Sequence, residues 1–238
     1  MASRYEKEDS KRRILSACVQ LFLEKGYQKT TTVEILKKAG VTPSTFYNIY
    51  HTKGSILTEL TEFMFGNQFN ISGKIVGEET NPVLLYAVET CLQLTLAELN
   101  ENLREIYVEA YTVPENIELI HKKTAVQLQK IFAPYLPGYS ASDFYEMEIG
   151  TAAFMRGYMA RPCDMYFTLE RKLARFLSGA SAHLPPVFWG RQGSCAETLL
   201  HSGTRFRQKG KDHCGCEQNG KILSHFQLYS CSQAKADK

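Results

Sequence analysis

Apolar side chains recur at Ile14, Cys18, Leu21 and Phe22, with Leu15 beside them, while charged residues fill the positions between Asp9 and Lys25. The i, i+4, i+7, i+8 spacing predicts an amphipathic helix from about Asp9 to Lys25. Gly26 follows as the residue that lets the chain leave it. Thr31-Thr32-Val33-Glu34 has the form of a capping box, in which a threonine hydroxyl and a glutamate carboxylate satisfy each other's backbone N–H groups. It predicts a second helix with Ile35, Leu36 and Ala39 facing inward and Gly40 at its end. After the two-residue turn Val41-Thr42, Thr42 is an N-cap and Pro43 suits a first helical position, because its missing N–H has no partner to lose there. A short helix from Pro43 to Tyr50 follows. A fourth, from Lys53 to about Asn67, carries Ile56, Leu57, Leu60, Phe63 and Met64 on one stripe.

The pattern stays helical further on. Leu85, Val88, Leu92, Leu96 and Leu99 form a stripe ending near Asn100. Helices are predicted over about Leu103–Val113, closed by Pro114, and over about Ile117–Phe132. Pro134, Pro137 and Gly138 then break the pattern. Ser142-Asp143 opens a helix to about Ala160, with Ile149, Ala153, Phe154 and Gly157 along one side. Cys163-Asp164 opens the next, to Ser178, with Met165, Leu169, Leu173, Phe176 and Leu177. Strand signals are scarce throughout this region. Two consecutive apolar helices, with Gly150, Ala152, Ala153 and Gly157 permitting close approach, suit a four-helix bundle with a second copy, the alternative by pattern being a core within one chain.

Composition adds boundaries. The 238 residues are 44% apolar and 22% charged, an ordinary globular balance. The net charge of +3 separates into +3 over residues 1–70, −4 over 71–183 and +4 over 184–238. The first nine residues lack an apolar core, so a secretory signal is not expected. No run of about eighteen uncharged apolar residues predicts a membrane span. Seven cysteines in this length suggest a reducing, cytoplasmic setting rather than a disulfide scaffold. From about Leu184 the apolar periodicity disappears, and a basic, poorly ordered tail, or a stretch read in a shifted frame, is expected there. His213-Cys214-Gly215-Cys216 has metal-ligand chemistry, but no second cysteine pair stands at finger or ribbon spacing, so no metal site is expected.

Two short helices joined by a Gly-Val turn describe a helix-turn-helix, whose second helix enters the DNA major groove. The residues that carry it are Arg13-Ile14-Leu15, Leu21-Phe22, Gly26-Tyr27, Thr30-Thr31, Ala39-Gly40-Val41, Thr45-Phe46-Tyr47, Tyr50 and Lys53. In order and spacing they resemble the TetR (tetracycline-repressor-like) regulators over roughly residues 10–60. Ser44 departs from the glycine common there, and Cys18 and Leu36 replace common alanines. The resemblance implies an all-α chain. It would have a three-helix DNA-binding domain over 1–70 and a helical ligand-binding and dimerisation domain over 71–183, followed by the atypical tail, 184–238.

On periodicity Phe46 faces the core, leaving Thr42, Pro43, Ser44, Thr45, Tyr47 and Asn48 for the groove. Asn48 suits adenine, and Pro43 and the Thr45 methyl suit thymine methyls. Thr30 and Thr31, at a helix N-terminus where free N–H groups favour anions, and Lys53 are candidate phosphate contacts, as are Tyr47 and His51. The resemblance puts Thr31, Tyr47, His51 and Lys53 at the usual backbone-contacting positions. It also implies a homodimer through helices at about 143–160 and 164–178, a palindromic double-stranded DNA operator, and release by a small-molecule effector. Tyr86, Cys91, Tyr107, Tyr111, Phe132, Phe154 and Tyr158 are candidate effector contacts, although aromatics at helical spacing also serve as plain core. No nucleophile–base pair, phosphate loop or catalytic metal motif occurs, so a regulator, most often a repressor, is expected rather than an enzyme, and no cofactor. Two alternatives stand beside it. One is a helical interaction protein without specific DNA binding. The other is a redox sensor using Cys163 with a thiol acidified at a helix start.

Overall fold

A computed structural model describes residues 2–76 and 82–181, and within them the chain is all-α. The helices are α1 (Ala2–Lys25), α2 (Thr32–Ala39), α3 (Pro43–Ile49), α4 (Lys53–Val76), α5 (Pro82–Leu99), α6 (Glu101–Ala110), α7 (Pro114–Phe132), α8 (Ala141–Ala160) and α9 (Leu169–Ser181), with a 3-10 turn at Ala133–Tyr135. The described residues form two compact units, one ending at Leu60 and the other beginning at Thr61. The tail with its His213–Cys216 cluster lies outside the described residues.

In the first unit, α1, α2, α3 and the start of α4 close around Ile14, Cys18, Phe22, Ile35, Phe46, Ile56 and Leu57, all fully buried. The expected stripes are the faces that pack. α1 begins earlier than the apolar pattern indicated. Residues Glu6, Lys7 and Glu8 are exposed helix formers that need no core contact. Asp9 does not cap a free end; its carboxylate accepts from Arg12 (2.6 Å) and Arg13 (3.0 Å) one turn on. Gly40 ends α2 in the left-handed region, φ 62°, where a side chain is strained. Its amide donates to the Leu36 carbonyl.

In the second unit, α7 and α8 make the most extensive pairing, and α5 packs against α6, α8 and α9. Leu128, Ile131, Phe132 and Phe144 bury together with the Tyr86 ring. α5 is long and apolar enough by composition to cross a membrane. It nevertheless carries Glu89 and Glu98 and packs as a core helix, with Leu94 and Ala97 fully buried.

In the second unit three helix starts also differ from the sequence expectation, each for a local reason. Pro114 does not close a helix; it is the first residue of α7, the position where proline costs no hydrogen bond. The true cap of α8 is Ser140, which forms a capping box with Asp143. Cys163-Asp164 does not open the last helix. The Asp164 carboxylate accepts from the Tyr166 and Phe167 amides (2.8 Å each), folding residues 164–167 into a turn. Thr168 accepts from the Arg171 amide and α9 starts only at Leu169. Met165, expected on an apolar helical face, is therefore 81% exposed.

The turn before α9 is held by a charged clasp. Lys172, fully buried, ion-pairs with Glu98 of α5 and donates to the Arg161 carbonyl. Glu98 also pairs with Arg104 (3.3 Å) and accepts from the Cys163 amide (3.0 Å). Burial pushes the Glu98 carboxyl up, but hydrogen bonds from Lys172 and Cys163, with the charges of Lys172 and Arg104, hold it below its usual value.

Candidate functional site

The helix-turn-helix is α2, the turn Gly40–Thr42, and α3. Its two helices start by side-chain capping. The Thr31 hydroxyl accepts from the Glu34 amide (3.3 Å), and the Thr31 amide donates to the Glu34 carboxylate (2.9 Å). The Thr42 hydroxyl accepts from the Thr45 amide (3.2 Å), and the two hydroxyls are 2.9 Å apart. Phe46 is fully buried and touches Tyr47 edge-on, ring centroids 5.3 Å apart. Burying Phe46 turns the opposite side of α3 outward: Thr42, Pro43, Ser44, Tyr47 and Asn48 are exposed, Thr45 is half-buried, and His51 is exposed beyond the helix end. The outward surface is polar and uncharged, which suits base edges more than a general hold on phosphate.

The phosphate candidates have a mixed placement. Thr30 is buried, its hydroxyl donating to the Gly26 carbonyl (2.7 Å), so its side chain serves the α1–α2 loop. Thr31 is exposed but shares its hydroxyl with Glu34. Glu34 also pairs with Lys25, and these hydrogen bonds hold its carboxyl down to about 2. Lys53 is half-buried. Its ammonium donates to the carbonyls of Tyr27 (2.8 Å) and Thr30 (3.1 Å) and lies 4.2 Å from the Tyr27 ring centre. It therefore fixes the start of α4 to the loop that precedes α2.

Arg13, quoted above only for its spacing, has a function in this unit. Its guanidinium donates to the carbonyls of Ala39 (3.0 Å) and Gly40 (3.1 Å), which end α2, while its Nε donates to Asp9. A cation at a helix C-terminus satisfies carbonyls that have no partner within the helix. The nearby signal in sequence was Asp9 four residues before Arg13; the contact with Gly40 spans 27 residues and left none.

The candidate effector residues fall into two groups. Tyr86, Cys91, Tyr107, Tyr111 and Phe132 are buried. Phe154 and Tyr158 are half-exposed and instead line an open groove of about 640 Å³ with Gly150, Ala153, Gly157, Arg161 and Phe167. Tyr158 stacks on Phe167 there, and Phe154 lies against Gly179 of α9. On the same side of α8, Ile149 is 45% exposed and Ala153 and Gly157 are exposed, so this apolar stripe is left uncovered among the described residues.

Around the buried tyrosines stands a polar group that the aromatic pattern did not reveal. Glu89 and Gln93 lie one turn apart on α5, with the Gln93 amide donating to Glu89 (3.1 Å). On α8 the Thr151 hydroxyl donates to Glu148 (2.8 Å) and is also within hydrogen-bonding reach of the Tyr86 hydroxyl. Glu89, Gln93, Glu148 and Thr151 are each at most 4% exposed. Burial pushes the Glu148 carboxyl up to about 8, with the Thr151 hydrogen bond acting the other way. The tyrosine hydroxyls are raised by burial and by these carboxylates, and Tyr111 senses Glu148, Tyr86, Tyr107 and Glu89 together. Their only sequence signal was a polar residue interrupting an otherwise apolar helix.

Cys91 is buried and its thiol is pushed up to about 12. Cys163 is not at a helix start, and burial raises its thiol as well, so neither premise of the acidified-thiol reading holds. Among the described residues no group of three or more histidines, cysteines or acids is placed to hold a metal ion.

Residues 14–60, from α1 to Leu60, match the family described as bacterial regulatory proteins, tetR family. The uncharacterized HTH-type transcriptional regulator YvkB of Bacillus subtilis (strain 168) is 33% identical over 81 residues, which are 34% of this chain and 42% of YvkB. Its counterpart YvdT from the same organism is 30% identical over 79 residues, 33% of this chain and 38% of YvdT. The chain thus spans about two fifths of the length of these curated relatives. Among solved structures, an ArpA-like gamma-butyrolactone receptor is 16% identical with a TM-score of 0.48, over 83% of this chain and 99% of that one. CprB, a TetR family protein from S. coelicolor A3(2), is 18% identical with a TM-score of 0.47, over 82% and 98%.

Proposed function

We infer that this chain, which belongs to the tetR family through its N-terminal helix-turn-helix domain, is a cytoplasmic, ligand-responsive transcriptional repressor that grips a palindromic operator as a homodimer. The observation that carries the reading is the outward side of α3. A short helix anchored by the buried Phe46 presents Pro43, Ser44, Thr45, Tyr47 and Asn48 from a turn that Gly40 and Arg13 hold. In this reading those residues and Thr42 meet base edges, with Asn48 on adenine. Thr31, Tyr47, His51 and Lys53 approach phosphates, and Thr30 supports them by bracing the loop.

One recognition helix reads one half-site, so the reading needs a two-fold partner. The uncovered stripe Ile149, Ala153 and Gly157 on α8, with α9 beside it, supplies an apolar, small-residue surface for a second copy. An effector bound among the helices of the second unit would release DNA only by favouring one of two dimer conformations over the other.

The test is fluorescence anisotropy of the full chain on duplexes from upstream of its own gene, against random duplex, across a salt series. Tight, selective binding with a steep salt dependence is expected, from a protein that runs as a dimer in light scattering. Ala153→Arg should yield monomers with weakened operator binding. A dimer that holds every duplex alike, or none, would instead fit a helical interaction protein.

A further inference from the structure

Carboxylates enclosed wholly or in part in the second unit are treated in two ways. Glu98 meets Lys172, Arg104 and a backbone amide. Glu148 is 2% exposed, yet among the described residues no cation acts on it and its hydrogen bond comes from the Thr151 hydroxyl. An interior carboxyl without a counter-charge keeps its proton until a cation can replace it, and such groups concentrate where a ligand or a reaction uses them. A second observation lies on the neighbouring helix. The Gln93 carboxamide oxygen has no hydrogen-bond partner although the residue is only 4% exposed. Its amide nitrogen is bound to Glu89, and Glu89 and Glu148 both act on the Tyr111 hydroxyl.

The groups open to a ligand are therefore the Gln93 oxygen and the Glu148 carboxyl, an anion once it gives up its proton, with the tyrosines of α5, of α6 and of the α6 end nearby. A missing ligand should bring donors and a positive charge. A divalent metal is a poor match, since among the described residues no third acid, histidine or cysteine joins Glu89 and Glu148. An organic ammonium matches every feature. Its N–H groups satisfy carboxylate and carboxamide oxygens, its charge takes the place of the proton that Glu148 otherwise keeps, and its positive end is attracted to tyrosine ring faces. The Tyr86 ring packs into the apolar cluster with Phe132 and Phe144, so a hydrocarbon body also has company there.

We propose that the buried group Glu148, Glu89 and Gln93, bordered by Tyr86, Tyr107 and Tyr111, is the effector site and takes a hydrophobic organic ammonium ion. The proposal rests on the regulator reading above for its consequence, release of DNA, but not for the binding itself.

The experiment uses the full chain and a series of phenylalkylammonium ions, benzyl to phenylbutyl, each paired with the alcohol of the same skeleton. Thermal unfolding and calorimetry read binding, and operator anisotropy reads release. At millimolar concentration at least one ammonium should stabilise the protein where its alcohol does not. Glu148→Gln should weaken that binding by about 30-fold or more while circular dichroism and operator binding stay unchanged. Gln93→Leu should weaken it less. The assignment is overturned if no ammonium in the series binds, if alcohols bind as well as ammonium ions, or if Glu148→Gln binds like the parent. Glu148-dependent ammonium binding without DNA release would uphold the site and defeat the regulator reading. Release by neutral or anionic compounds that act equally on Glu148→Gln would do the reverse.

Discussion

Lys53 shows how one residue combines two expectations. Its ammonium is spent on the Tyr27 and Thr30 carbonyls, the first of which also accepts from the Thr30 amide, while its charge stays at the front of α4. Lys53→Met keeps the aliphatic stem and removes the donors. It should lower stability by about 1–3 kcal/mol in denaturant titration, the usual cost of stranding such acceptors. It should also reduce the slope of operator affinity against salt by about one unit. A loss of stability with an unchanged slope would leave Lys53 as a positioning residue only. Asn48, exposed on α3, makes no such structural bond among the described residues, so Asn48→Ala should leave unfolding unchanged. Its expected effect is a relaxed preference at one base pair per half-site, about 1–3 kcal/mol, measured by anisotropy on a panel of single-base operator changes.

At the level of helices, the features visible in sequence were those closed within a few residues. The Thr31–Glu34 box, the Thr42 cap, Pro43 at a first turn and Gly40 at an end all formed as read, because each is decided by neighbours in the chain. The start of α9 was hidden because two local signals competed. Asp164 resembles a cap, but its carboxylate binds the amides two and three residues ahead and makes a turn. Arg13 on Gly40, Lys53 on Thr30 and the carboxylates behind Tyr111 were hidden for the opposite reason, since each depends on segments far apart in sequence. Thr30 was misplaced for a related reason: a hydroxyl bonded back to Gly26 has the same sequence signature as one offered to a phosphate. Gly40→Ala isolates the α2 end. Forcing a side chain into φ 62° should cost about 1–2 kcal/mol in thermal unfolding and lower operator affinity with it, because the same turn aims α3.

For the molecule as a whole, Glu148 predicts how stability depends on pH. Its carboxyl stands near 8 folded against 4.5 for an ordinary glutamate, chiefly through burial. The Thr151 hydrogen bond acts the other way, and the Tyr86 and Tyr111 hydroxyls, themselves raised by Glu148, stay neutral throughout this range. Between those two values the folded chain retains a proton that the unfolded chain releases, so stability falls as pH rises through the window and levels off above it. The drop should be a few kcal/mol, at about 1.4 per unit, in urea midpoints taken at the two ends of the window. Glu148→Gln should flatten it. The carboxyls held low, Asp9, Glu34, Glu98, Asp143 and Asp164, titrate beneath this range and leave its slope alone. The Lys172 clasp carries a different lesson, for anyone dividing the chain by expression. A fragment of the second unit that stops short of α9 would take Lys172 from Glu98, leaving that largely enclosed carboxylate to Arg104 alone and the Arg161 carbonyl without its ammonium donor. The shortest such piece that can be recovered from cells intact therefore has to run past Phe176, however tidy an earlier cut looks on paper.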